Sequence, residues 1–388
     1  MMNNSIKKLF LLILLCLSFS TLFAQINVRE IDKRWVIPAA DRYLKEVPLT
    51  ITAFPSTRSA GGKHDFYSEG DYWWPDSTHP DGPYIQKDGM TNPDNFVFHR
   101  KVLIRMSIQV AALTAAYRIT GDKKYALKAI DHLRAWFVNE VTKMNPTLLY
   151  AQAITRKFTG RGTGIIDTIH LIEVAQSIII LEKDDLIPAK DLACIKKWFA
   201  DYLKWLTTHS YGIDEMNAKN NHGTCWVMQV AEFAKLVGDE EKVDFCRKRF
   251  KEVLLPIQMA KDGSFPLELK RTKPYNYSLF NLDAMSIICT ILSNEKDNLW
   301  KFTLPDGRNM KKGIEFMFPY IADKSKWPYS KDVMYFDYYP VRQPALLFGG
   351  LAYNENNFLE LWKKLDAHPE NEEIIRNFPV SQPVLWLN

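Results

Sequence analysis

Little in this sequence advertises a ready-made reactive group. It has no His-Glu-x-x-His zinc signature, no Cys-x-x-Cys pair, no phosphate-binding loop ending in Lys-Ser/Thr and no Gly-x-Ser-x-Gly elbow, which takes weight from metal and serine chemistry. Charge of one sign is scarce as well. With 50 basic against 45 acidic residues the formal net charge is +5, too small a field to imply a nucleic-acid partner. Strand-like alternation is rare, so a β-sheet core is not expected. Cysteine is sparse: Cys194, Cys225, Cys246 and Cys289 sit in helix-like apolar patterns and read as mostly free core thiols.

The one long apolar run is N-terminal. Lys7-Lys8 precede Leu9 to Phe23, and Ala24-Gln25 follow before the chain turns charged. That is the pattern of a secretory signal peptide over residues 1–24, not of a membrane span. Cys16 lies behind Leu15 without the small residue that lipid attachment requires. The expectation is a freed protein of residues 25–388, secreted across the inner membrane to the periplasm or beyond.

What is abundant is helical periodicity. Lys101 to Ile119 has apolar residues at three- and four-residue spacing, stops at Gly121 and restarts at Asp122 as a second helix. The same device recurs at Gly238-Asp239. Further pairs fit Thr168 to Leu181 with Asp191 to Thr207, Ser278 to Leu292 with Asn309 to Tyr320, and Gln343 to Tyr353 with Asn356 to Leu365. A lone helix is expected around Val28 to Lys45. The class is all-α: an (α/α) toroid or incomplete barrel of about five to seven helical hairpins. Connections within pairs are expected to be short and those between pairs long, which carries the long loops to one mouth. Any strands should be peripheral.

Those loops hold the candidate site. Lys219-Asn220-Asn221-His222-Gly223-Thr224-Cys225-Trp226 precedes the apolar run Val227 to Val237, so Asn221 and His222 fall at a helix N-terminus, where free N–H groups favour an anion. An asparagine there serves equally as a plain helix cap. Trp73 and Trp74 offer flat faces suited to sugars, or simply pin a Pro/Gly-bent loop. Tyr150 and Gln152 lie in a second loop with Arg161, which is flanked by glycines at a helix entrance and reads as an anion clamp or a surface arginine. That glycine run lacks the preceding strand of a dinucleotide fingerprint. Tyr277 opens a helix beside Lys270, Arg271 and Lys273, cations that would lower its pKa.

Taken together, EGDYWWPD, PDGPYI, YAQAI, GRGTGIIDT, NNHGTCW and ELKRTKPYNYSLFNLDAM resemble the alginate lyase family of polysaccharide lyases, which have helical toroid folds. The resemblance implies a metal-independent β-elimination on a uronate polymer, alginate first among them, with no organic cofactor. It implies Asn221, His222, Arg271 and Tyr277 as the active centre, with Tyr275 a rival to Tyr277. Asn221, helped by Arg271 or a protonated Glu215, would stabilise the carboxylate beside the acidic proton. His222 and Tyr277 would supply base and acid. Trp73, Trp74, Tyr150, Gln152, Arg161, Glu215, Lys219 and Lys273 would bind the anionic polysaccharide. Two other readings stand beside it: a glycoside hydrolase using two of Glu215, Asp262 and Glu268, and a glycan-binding protein without catalysis. An unsaturated product separates elimination from both.

Overall fold

The computed structural model describes residues 26–387, so the expected leader lies outside the described residues. Helix α1 is Val28–Tyr43. Five hairpins follow: α2 (Phe98–Thr120) with α3 (Lys123–Phe137), α4 (Leu171–Lys183) with α5 (Ala189–Thr208), α7 (Asn221–Val237) with α8 (Glu240–Arg249), α11 (Pro274–Leu292) with α12 (Met310–Ala322), and α13 (Pro344–Tyr353) with α14 (Asn356–Lys364). Short helices α6 (Ser210–Met216), α9 (Leu255–Gln258) and α10 (Pro266–Leu269) sit in the connections, and α15 (Glu372–Arg376) lies in the C-terminal segment.

The expected turn device is present. Gly121 and Gly238 close α2 and α7 with φ of +74° and +79°, and Asp122 and Asp239 cap the next helices through the amides of Lys124 and Lys242. A Cβ at either glycine would meet nothing within 4 Å, so the left-handed backbone, not crowding, calls for glycine.

The first helices of the pairs form an arc in which α2, α4, α7, α11 and α13 each pack on the next. They are buried nearly all round: in α11 every residue except Thr290 is buried, the signature of a core helix. The second helices lie outside, with one apolar face each. The arc is incomplete. Helix α1 covers α2 on one side and reaches the approach to α13 through a buried Arg342–Asp32 ion pair of 2.8 Å. Helix α2 is the one described helix long and apolar enough to cross a membrane, and it is an inner helix of this arc.

Three details depart from expectation. The α11–α12 connection, residues 293–309, is long although it lies within a pair. Cys194 is exposed on an outer helix, whereas Cys225, Cys246 and Cys289 are buried and free. The strands are short and only one pair is peripheral: β1 (Tyr67–Glu69) pairs in parallel with β4 (Tyr150–Ala153) and is buried, whereas β2 (Trp73–Trp74) pairs antiparallel with the exposed β3 (Ile85–Gln86). The β1–β4 pair ties the first loop to the second, and the β2–β3 pair is a hairpin within the first loop.

Candidate active site

Asn221 and His222 occupy the first turn of α7, which starts six residues earlier than its apolar run because Asn220 takes the extended cap position. Asn221 is not spent on capping. Its backbone N–H and its side-chain Nδ2 donate to the two oxygens of Glu268, at 2.7 and 2.8 Å, which fixes the amide. Burial raises the pKa of Glu268, and the donors from Asn221 with the charges of Arg271 and His222 offset this only in part.

His222 Nδ1 lies 2.6 Å from Glu215 Oε1. With the carboxylate accepting, Nδ1 carries the proton and Nε2 is the free nitrogen. Burial pulls the imidazole pKa down, but Glu215, assisted by Glu268, outweighs it and the net shift is upward. Arg271 is gripped by Asp88, with Nε donating to Oδ2 at 3.2 Å and Nη2 to Oδ1 at 2.7 Å, so Nη1 is left for another anion.

Tyr277 lies inside α11, which begins at Pro274. Its hydroxyl is 2.9 Å from that of Tyr72. Arg271 and Lys273 stand 4.6 and 5.5 Å from its ring centroid, as the sequence suggested, yet the expected lowering of its pKa does not occur. Burial and Tyr72 dominate and hold the phenol well above its usual range, so Tyr277 carries its proton at neutral pH. Lys270 is exposed and plays no part.

One cleft is lined by Asn221, His222, Arg271, Tyr277, Trp73, Gln152 and Arg161. Arg161 donates to the carbonyl and side chain of Gln152, at 2.9 and 3.2 Å, and lies over Trp73. Glu215 stands behind His222 and lines an adjoining depression with Asp88 and Asp214. Other expected contacts fall elsewhere. Trp74 turns its indole N–H to the Met90 carbonyl, Lys219 is exposed off the cleft, and Tyr150 packs its ring against Gly61. Lys273 is fully buried and paired with Glu373 at 2.7 Å, so its charge acts on the tyrosines rather than on a ligand. The Tyr275 hydroxyl is committed to the Tyr320 carbonyl at 3.0 Å. Among the described residues no group of three or more His, Cys, Asp or Glu side chains could hold a metal ion.

The sequence profile of the alginate lyase family matches residues 50–327, which include every one of these candidate acid, base and carboxylate-binding groups. The chain belongs to the alginate lyase family. It is similar to a crystal structure of an alginate lyase from Bacteroides ovatus, with 31% identity over 93% of this chain and 96% of that one, at a TM-score of 0.79. Alginate lyase A1-III complexed with a tetrasaccharide aligns over 91% of this chain and 94% of that one, with 14% identity and a TM-score of 0.57. The same lyase from Sphingomonas species A1 gives 13% identity and a TM-score of 0.51 over 81% of this chain and 84% of that one. The last two likenesses speak to the fold alone. No curated protein matches significantly.

For this family member, then, the helical toroid and lyase chemistry follow. Several lining residues carry little or no local signal in the sequence. Tyr72 lies in the EGDYWWPD motif beside two tryptophans, and nothing local sets it apart as a cleft residue. Arg376 and Asn377 line the cleft from the C-terminal segment, outside the family match, where no local motif marks them.

Proposed function

We propose that this lyase cuts a uronate polymer, alginate first, at the cleft between α7 and α11. The reaction removes the C5 proton alpha to the carboxylate and expels the C4 oxygen: C5–H and C4–O4 break, C4=C5 forms, and O4 gains a proton. The carboxylate's charge makes that C5 proton weakly acidic. Asn221 and the free Nη1 of Arg271 would stabilise the charge that builds on the carboxylate in the transition state. His222, with Nδ1 anchored on Glu215, serves as base once Nε2 has lost its proton, and the protonated Tyr277 serves as acid. The observation that carries this reading is the convergence of these four side chains on one cleft, with each of the first three held by a carboxylate behind it.

Hydrolysis by paired carboxylates is disfavoured. It needs two carboxyl groups facing a scissile bond, whereas Glu268 is bonded to Asn221, Glu215 to His222 and Asp262 to Ser264. Incubating the purified protein with alginate and following the ultraviolet absorbance of the new double bond tests the assignment. Reducing ends without that absorbance would mean hydrolysis, and neither would mean binding alone.

The leader pattern over residues 1–24 supports export, so the enzyme would meet its polymer in the periplasm or outside the cell as a freed domain of residues 25–388. Comparing the cell fractions of an expressing strain for the processed chain tests this.

A further inference from the structure

Helix α1 and the C-terminal residues 367–383 enclose a crevice of about 590 Å³ along the seam of the incomplete arc, a size within the roughly 300–1,000 Å³ of ligand sites. It shares no lining residue with the catalytic cleft. Only a short run of chain separates the two: Arg376 and Asn377 line the cleft, Ile375 and Phe378 the crevice. Trp35 stands in the crevice 44% exposed, edge-on to His368 with ring centroids 4.8 Å apart. Three guanidinium groups join it, each beside an aromatic ring: Arg34 lies 5.0 Å from the Trp35 centroid, Arg42 6.0 Å from Tyr43 and Arg342 4.3 Å from Trp362. Asp32 is the one acid in the lining, and Arg342 already holds it at 2.8 Å. Among the described residues neither Arg34 nor Arg42 has a carboxylate within salt-bridge distance, and the buried Nε of Arg342 has no hydrogen-bond partner. Anchoring α1 does not call for these groups, because the helix is seated by a separate buried stripe of Val28, Asp32, Val36 and Ala40. An open indole among unpaired guanidiniums suits a ligand with apolar C–H ring faces and carboxylates spaced along it. That is the chemistry of a uronate chain.

We propose that this crevice is a second binding site for the acidic polysaccharide, holding a stretch of polymer outside the catalytic cleft, with Trp35 stacked on a sugar ring and Arg34 and Arg42 on its carboxylates. The choice of polymer rests on the elimination reading, but none of the catalytic groups takes part. A chain held at the crevice meets the cleft at a raised local concentration, as with any pair of linked sites. The crevice therefore acts on long polymer and not on an oligosaccharide that fills the cleft alone.

The test uses Trp35→Ala and, separately, Arg34→Gln combined with Arg42→Gln, in affinity electrophoresis through alginate and in steady-state elimination on polymer and on a tetrasaccharide. All three side chains are exposed, so both variants should fold. Each should be retarded less by alginate than the unaltered protein. Trp35→Ala should raise KM on polymer about threefold to tenfold, the size of one aromatic contact, with kcat and the tetrasaccharide kinetics unchanged. The deficit of the arginine variant should shrink as salt is added. Unaltered retardation and polymer KM at low salt would overturn the proposal. So would an equal rise of KM on the tetrasaccharide, which would mean that the substitutions act through the cleft. Unaltered retardation with a smaller assembly in Trp35→Ala would make the crevice a contact between copies of this chain, and would overturn it too. Retardation of an unaltered protein that forms no unsaturated product would instead defeat the elimination reading and leave the crevice to be judged on retardation alone.

Discussion

Glu215 Oε1 accepts from His222 Nδ1 at 2.6 Å, with the carboxylate almost wholly buried and the imidazole at the edge of the cleft. The contact joins α6, a short helix inside what the sequence presents as a loop, to the first turn of the inner helix α7. It fixes which imidazole nitrogen is available for chemistry.

Replacing Glu215 by Gln keeps the shape and removes the charge. Burial would then act on His222 with less opposition, so its raised pKa should fall. A base is active once deprotonated, and the acidic limb of the activity profile should therefore move to lower pH. Turnover at neutral pH should still drop about tenfold or more, because a Gln amide can donate to Nδ1 and leave the proton on Nε2. A pH series of kcat on alginate measures both effects.

Arg161 donates twice to Gln152 and lines the cleft next to His222. Arg161→Ala should weaken polyanion binding, and the difference from the unaltered protein should be larger at low salt than at high salt, because a screened charge contributes less. Equal affinity of the two proteins at low salt, measured by affinity electrophoresis in alginate, would count against an electrostatic role.

The buried pair Lys273–Glu373 ties α11 to the C-terminal segment. Removing one partner of such a pair costs about 3–5 kcal/mol. Arg376 still lies 3.3 Å from Glu373, so Lys273→Met should fall near the lower end in a denaturant titration. In the native chain burial raises the Glu373 pKa, but Lys273 and Arg376 outweigh it and the net shift is downward from 4.5. A depressed carboxylate contributes stability that is present above its unfolded pKa and lost as pH falls through its folded one. Stability should therefore decline on acidification below about pH 4.5, and decline less steeply in Lys273→Met.

The hairpins were legible because glycine and aspartate at Gly121-Asp122 and Gly238-Asp239 act locally, through backbone conformation and capping. The Asn221–His222 pair was legible for a similar reason: an amide and an imidazole ahead of an apolar helical run stand out along the chain. Long-range partners were not. Lys273 reads like a cleft cation beside Arg271, but its charge meets Glu373 a hundred residues away in a segment with no motif. The pKa of Tyr277 runs against the direction its neighbours suggest because cations can be counted along the chain, whereas the burial that outweighs them belongs to the folded arc.

Tyr277, not Tyr275, is the proposed acid of the elimination. The direct measurement is the rate of unsaturated-product formation by Tyr277→Phe, Tyr275→Phe and His222→Ala on polymers of a single uronate epimer, each variant first checked for folding. Tyr277→Phe should lose about a hundredfold or more on every substrate. His222→Ala should suffer most where the C5 proton and the leaving oxygen lie on opposite faces. Tyr275→Phe should keep its turnover and lose only about 1 kcal/mol of stability with its bond to the Tyr320 carbonyl. A folded Tyr277→Phe with near-normal turnover, together with an inactive Tyr275→Phe, would contradict the account.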